Sequence, residues 1–229
     1  MNYKTDSNQT VGIFPNRDEN STKLLTTISQ SLKRISSHLP LICFILVGPE
    51  GLAKRLEKVM EHSIWLENLF AAVETVGEEG NAAVNFLRTR RTKVGFKHVR
   101  PSVGAFWTVF GNIRLNSYYY SYNTPLEDVR IKTLIVHEAR HLQQGIVTAL
   151  SVYGELDAWQ LEFSIYHRLM GKYPHPAIAE LMKLPLEYNR DVLRNGARLM
   201  QDYAGKEYRI DLLPLYPLGR EIRYWLTRK

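Results

Sequence analysis

The stretch Thr133-Leu-Ile-Val-His-Glu-Ala-Arg-His-Leu-Gln-Gln-Gly145 carries His137-Glu138-x-x-His141, and its reading as a helix decides how the rest of the chain is arranged. Upstream, Thr124-Pro-Leu-Glu127 offers an N-cap, a proline at the first helical position and a glutamate to close a capping box, while Gly145 is placed to stop the helix. The spacing therefore predicts a helix from Pro125 to Gln144. Histidines four apart lie on one helix face, so both imidazoles can reach a single tetrahedral metal ion. Glu138 is rotated by about 100° from His137. It stands beside such a metal, where it can take a proton from a water whose pKa the metal lowers towards about 7.

A catalytic centre of this kind needs a third protein ligand and one open position. The only cysteine is Cys43, so the ligand should be a carboxylate or a histidine, and the downstream candidates are Glu155, Asp157, Glu162, His167 and His175. Leu156, Trp159, Phe163, Tyr166 and Met170 recur at helical spacing and Gly171 follows them, which predicts a second helix over 152–170. A short link returns that helix antiparallel to the first and brings its start close to the first helix's end. Glu155, fourteen residues past His141, is the preferred third ligand and Asp157 the alternative.

Before the capped helix, Ala105-Phe-Trp-Thr-Val-Phe110 and Ile113-Arg-Leu-Asn116 flank Gly111-Asn112 and read as two strands joined by a tight hairpin turn. Tyr118, Tyr119, Tyr120 and Tyr122 follow as aromatic packing or edge cover. Residues 88–100 concentrate six Lys and Arg and read as a solvated connector, with an anion-binding patch as the functional alternative. Helical periodicity marks 24–37, 50–75 as one or two helices ended by Gly77-Glu-Glu-Gly80, and a short helix over 81–87. The apolar run 39–47 reads as a buried strand or helix. More helix is expected over 177–183 and 186–203, ahead of a short basic tail at 220–229. The fold class is α+β: mainly helical, with a small antiparallel sheet near 104–122 packed on the site helix. The organisation expected is a loose arm (1–22), a mainly helical N-terminal region (23–103) and the site domain (104–229).

Composition narrows the setting. With 229 residues, 45% of them apolar, a chain disordered throughout is excluded, and one cysteine excludes an internal disulfide or a cysteine metal knuckle. Cys43 sits in the 39–47 run, where a buried inert thiol is expected. That run is about half of the roughly 20 residues a membrane-spanning helix needs. With no secretory signal visible either, a cytoplasmic protein is the expectation. The net charge of +7 favours anionic partners without naming one.

His137-Glu138-Ala-Arg-His141 together with Glu155-Leu-Asp-Ala158 resembles the zincin metallopeptidases, and within them the gluzincins, whose third zinc ligand is a glutamate on a following helix. The strand Gly111–Asn116 is similar in position to the edge strand along which zincins align a peptide. The longer metzincin signature is excluded, because Gln144 and Val147 stand where it requires Gly and His. The resemblance covers about residues 104–170. It implies Zn²⁺ held by His137, His141 and Glu155, Glu138 as general base, and a peptide or protein substrate. Asp157 would make the site an aspzincin one. Tyr153, Tyr166, His167, His175 and Tyr188 are candidates for a transition-state donor. A different reading is a latent or non-catalytic zincin-like sensor, its N-terminal region covering the cleft, with association with nucleic acid as a further option.

Overall fold

The computed structural model describes residues 49–227. The chain divides into two units, Met1–Lys58 and Val59–Lys229, and the predicted site residues all belong to the second. The expectations for the 1–22 arm, the 24–37 helix, the 39–47 run and Cys43 lie outside the described residues. The elements are α1 (Pro49–Glu74), α2 (Glu78–Thr89), β1 (Val94–Lys97), β2 (Ala105–Trp107), β3 (Ile113–Asn116), α3 (Val129–Gln144), α4 (Ile146–Ala149), α5 (Val152–Met170), α6 (Pro176–Leu181), α7 (Arg190–Ala204), a single 3₁₀ turn (Ile210–Leu212) and α8 (Leu218–Thr227). The class is mainly helical α+β, as the periodicities require. Among the described residues no helix is long and apolar enough to cross a membrane.

The site helix α3 starts later than expected. Asp128, not Thr124, is its N-cap, accepting from the Arg130 amide at 2.9 Å. The Thr124 hydroxyl instead accepts from the Ser121 amide at 2.8 Å, and the Asp128 amide donates to the Pro125 carbonyl. The Thr-Pro-Leu-Glu segment thus folds as turns before the helix. Gly145 ends α3 at φ 74°, a backbone angle that costs glycine little. α5 has the expected bounds: Ser151 caps it by accepting from the Gly154 amide, and Gly171 leaves it in the left-handed region at φ 70°.

The sheet is three-stranded and mixed, in the order β1-β3-β2. β2 and β3 form the expected antiparallel hairpin, with Trp107 opposite Ile113. Its loop is longer than the Gly111-Asn112 pair suggested. Thr108 and Asn112 still pair, and Gly111, at φ 75°, closes a three-residue connection by donating to the Thr108 carbonyl. β1 adds parallel to the far side of β3, so part of the 88–100 segment is strand rather than solvated connector. Val94 and Gly95 are buried there, while Arg88 bridges Glu67 and Glu74 at 2.9 and 2.6 Å.

Two apolar cores meet along α5. One joins Trp65, Leu69 and Val73 of α1, Val84 and Leu87 of α2, Ile113 and Leu115 of β3, and Ile131 and Ile135 of α3. The other joins Leu156, Trp159 and Phe163 of α5 to Ile178, Leu193, Met200 and Tyr216. The expected border at 103/104 falls inside the first core, so α2 and β1 form part of the scaffold beneath α3.

Candidate metal centre

Four pairs of residues set α3 against α5: His137 with Glu162, Arg140 with Asp157, His141 with Glu155, and Gln144 with Gly154. Later positions of one helix meet earlier positions of the other, the signature of antiparallel neighbours. This register carries the histidine stripe of α3 onto the acidic stripe of α5. His137 Nε2 and His141 Nε2 lie 3.0 Å apart, and His141 Nε2 is 3.5 Å from Glu155 Oε1. One ligand atom from each of His137, His141 and Glu155 falls within 4.8 Å of the others. These three side chains could hold a metal ion, and they are the three expected from the sequence.

Asp157, the alternative ligand, faces elsewhere. Its carboxylate takes two hydrogen bonds from Arg140, at 2.8 and 3.1 Å, and one from Gln144 Nε2 at 2.7 Å. Gln144 also donates to the Gly154 carbonyl, and its Oε1 lies 3.2 Å from His141 Nδ1. Asp157 therefore fixes Gln144, and Gln144 fixes the ring of His141, the outer arrangement that orients a metal-binding imidazole. For His137 the corresponding group is Glu162, whose Oε2 lies 2.9 Å from Nδ1. That carboxylate is out of line with the ring N–H, so the pair is electrostatic rather than a well-formed hydrogen bond.

Glu155 is held from the second core. Its Oε2 accepts from the Tyr208 hydroxyl at 2.7 Å and from Trp159 Nε1 at 3.2 Å. Tyr208 arrives there because α7 stops at Gly205 and the following chain docks on α5, where the Val152 and Tyr153 amides donate to the Pro214 and Leu215 carbonyls. Those amides belong to the first turn of α5 and have no partner within the helix. Tyr208 was not among the residues expected, and no local pattern links it to a residue 53 positions earlier.

Burial sets the charges. His137, Glu138 and His141 are buried. Burial pushes the Glu138 carboxyl up to about 7 against the pull of both histidines, and its Oε2 has no hydrogen-bond partner. A base near 7 is well matched to proton transfer at neutral pH. Burial alone would lower His137, but Glu162, Glu138 and Glu155 outweigh it and hold the imidazole at about 9. Burial raises Glu155, yet His141, His137 and the Tyr208 hydroxyl bring it down to about 2. Three carboxylates around two imidazoles thus favour positive charge at the cluster itself.

The site lies in a cleft of about 540 Å³ that is also lined by Pro101–Trp107 and by Tyr166, Tyr203 and Tyr208. The 101–104 rim is pinned by Asn116, buried at the end of β3, whose side chain donates to the Arg100 and Val103 carbonyls and accepts from the Val99 amide. β3 is the middle strand, so 111–116 is not the edge strand expected; β1 and β2 are the edges. Of the donor candidates only Tyr166 lines the cleft. Tyr153 stacks on Tyr188, His167 stacks on Tyr173, and His175 caps α6.

One turn of backbone supports this geometry closely. A Cβ on Gly154 would run into the Thr148 carbonyl and approach Ala149. Gly154→Ala should therefore destabilise the protein by about 1–3 kcal/mol, as overpacking does, although alanine is the better helix former by about 1 kcal/mol. Urea unfolding measures this, and a stabilised variant would show that the turn yields.

Compared with protein-family models, with curated proteins and with solved structures, the chain matches none.

Proposed function

We propose that this chain is a zinc-dependent peptide hydrolase of the gluzincin kind. The observation that carries the reading is the convergence of His137, His141 and Glu155 within 4.8 Å beside the unpartnered, buried Oε2 of Glu138. The donor set fits the metal: two imidazoles and one carboxylate suit a catalytic zinc that keeps one position open. When bound, zinc supplies a Lewis acid that acidifies water and polarises a carbonyl.

The chain's own residues do the rest. Glu138 accepts the proton of the attacking water and returns it to the leaving amine. Glu162 and Gln144 keep the two imidazoles turned inward, and Tyr208 with Trp159 keeps Glu155 in place. The β2 edge receives the substrate. The Gly104 carbonyl accepts from the Asn116 amide and the Thr108 amide donates to the Asn112 carbonyl, so by strand alternation the backbone groups of Ala105 and Trp107 point outward, free to pair with an extended peptide. A nucleic-acid role draws less support, since in the 88–100 cluster Arg88 is ion-paired and Arg90 and Lys97 lie over Phe86 and Phe106.

The test uses the full chain. It should bind one zinc per molecule and cleave members of a mixed peptide pool, lose that cleavage to a chelator and regain it with zinc. Zinc-loaded protein that cleaves no peptide would sink the reading.

A further inference from the structure

Arg130 is the one charged residue of the cleft wall that the metal centre does not use. It stands on α3 seven residues before His137, two turns along the same face, and it lines the cleft. At 1.5 Å per residue that separation is about 10 Å along the helix axis. Among the described residues no carboxylate lies within ion-pair distance of its guanidinium; Asp128 accepts from its backbone amide only.

Two phenols line the same cleft, Tyr120 and Tyr203. Neither hydroxyl is hydrogen-bonded to another described residue. The Arg130 charge is felt at both hydroxyls, as is that of Glu162, which stands against His137, while Asp128 acts on Tyr120. Burial raises both phenols, Tyr120 to about 12, so both keep their protons and remain donors. An exposed guanidinium and two phenols thus line the same cleft, near enough for the charge to act on both phenols, and no described residue takes their side-chain hydrogen bonds. A carboxylate satisfies that set, because guanidinium binds carboxylate through paired N–H groups and phenols add charge-assisted bonds.

We propose that Arg130, with Tyr120 and Tyr203, forms a carboxylate-recognising subsite that selects peptides bearing an anionic group about three residues from the bond cleaved. The distance follows from a strand's rise of about 3.2–3.4 Å per residue against about 10 Å of helix. The carboxylate can be that of a Glu or Asp side chain or the peptide's own C-terminus. The proposal rests on the peptide-hydrolase reading.

The test uses zinc-loaded full chain and peptides carrying Glu or Gln at one position at a time, each with a free or an amidated C-terminus. The expected result is a Glu-over-Gln, or free-over-amidated, advantage of at least tenfold in kcat/KM at one position about three residues from the cut; which pair shows it identifies the source of the carboxylate. Arg130→Gln should bring that ratio close to one, and Arg130→Glu should turn the preference towards Lys at the same position. A wild-type ratio near one, or a preference that survives Arg130→Gln, overturns the subsite. If no peptide is cleaved at all, the hydrolase reading fails by itself, and binding of the Glu and Gln peptides by calorimetry decides the subsite. Tighter binding of the Glu peptide that Arg130→Gln abolishes supports it, and equal binding overturns it.

Discussion

Glu138→Gln is expected to keep zinc at one per chain and to lower peptide hydrolysis by about 10²–10⁴-fold, the usual worth of a positioned general base. The substitution preserves shape in a place where shape matters: Glu138 is 3% exposed and sits in the α3 turn that carries both histidines. What it removes is the acceptor whose Oε2 lacks any partner and whose carboxyl burial lifts to about 7. A buried amide is also less costly to desolvate than a carboxylate, so the melting temperature should hold or rise. Metal analysis, a peptide assay and a thermal melt on the same preparation check the three parts together. An active Glu138→Gln protein would show that the proton goes to some other group.

The centre itself was legible because its information is local. His137, Glu138 and His141 lie within a single helical stretch, and Glu155 opens a helix whose bounds Ser151 and Gly171 set by capping. The outer residues were legible to different degrees. Glu162 lies on the same face of α5 as Glu155, two turns on, and stood among the possible ligands; its place opposite His137 depends on the helix register. Asp157 carries the same charge as Glu155 at nearly the same position in sequence, and their roles are separated only by tertiary partners: Arg140 and Gln144 for Asp157, Tyr208 and Trp159 for Glu155. Tyr208 depends on a chain reversal after α7, and on amides of α5 that recruit Pro214 and Leu215. That is tertiary information with no periodic trace.

The misreadings have physical causes as well. Thr124 has the chemistry of a cap, but its hydroxyl found the Ser121 amide first, and Asp128 caps the helix one turn later. Side chains of this type bond to whichever nearby amide the turn presents. β1 was hidden by its cations. In Val94-Gly-Phe-Lys97 the first two residues are buried, yet the surrounding Arg and Lys made the whole segment read as solvated. The parallel pairing with β3 is long-range in sequence and could not be drawn from either strand alone.

The largest effect on metal binding should come from Glu155→Ala, set against Asp157→Ala. Removing Glu155 leaves two imidazoles to hold zinc, and the protein should emerge from gel filtration with a competing chelator without metal. Asp157→Ala should retain one zinc with affinity weakened about 10–100-fold, the usual cost of losing an outer partner, because Gln144 keeps the Gly154 carbonyl but loses its anchor next to Arg140. Folding has to be separated from ligation. Glu155→Ala also strips the acceptor from the Tyr208 hydroxyl and leaves Trp159 Nε1 only the Tyr208 oxygen at 3.3 Å, and an unsatisfied buried donor costs about 1–3 kcal/mol. Glu155→Gln restores an acceptor for both donors while removing the negative charge, so it should melt near wild type and still bind zinc poorly. If Glu155→Gln holds zinc as tightly as wild type, or if Asp157→Ala is the variant that loses it, the donor set assigned to α5 is wrong.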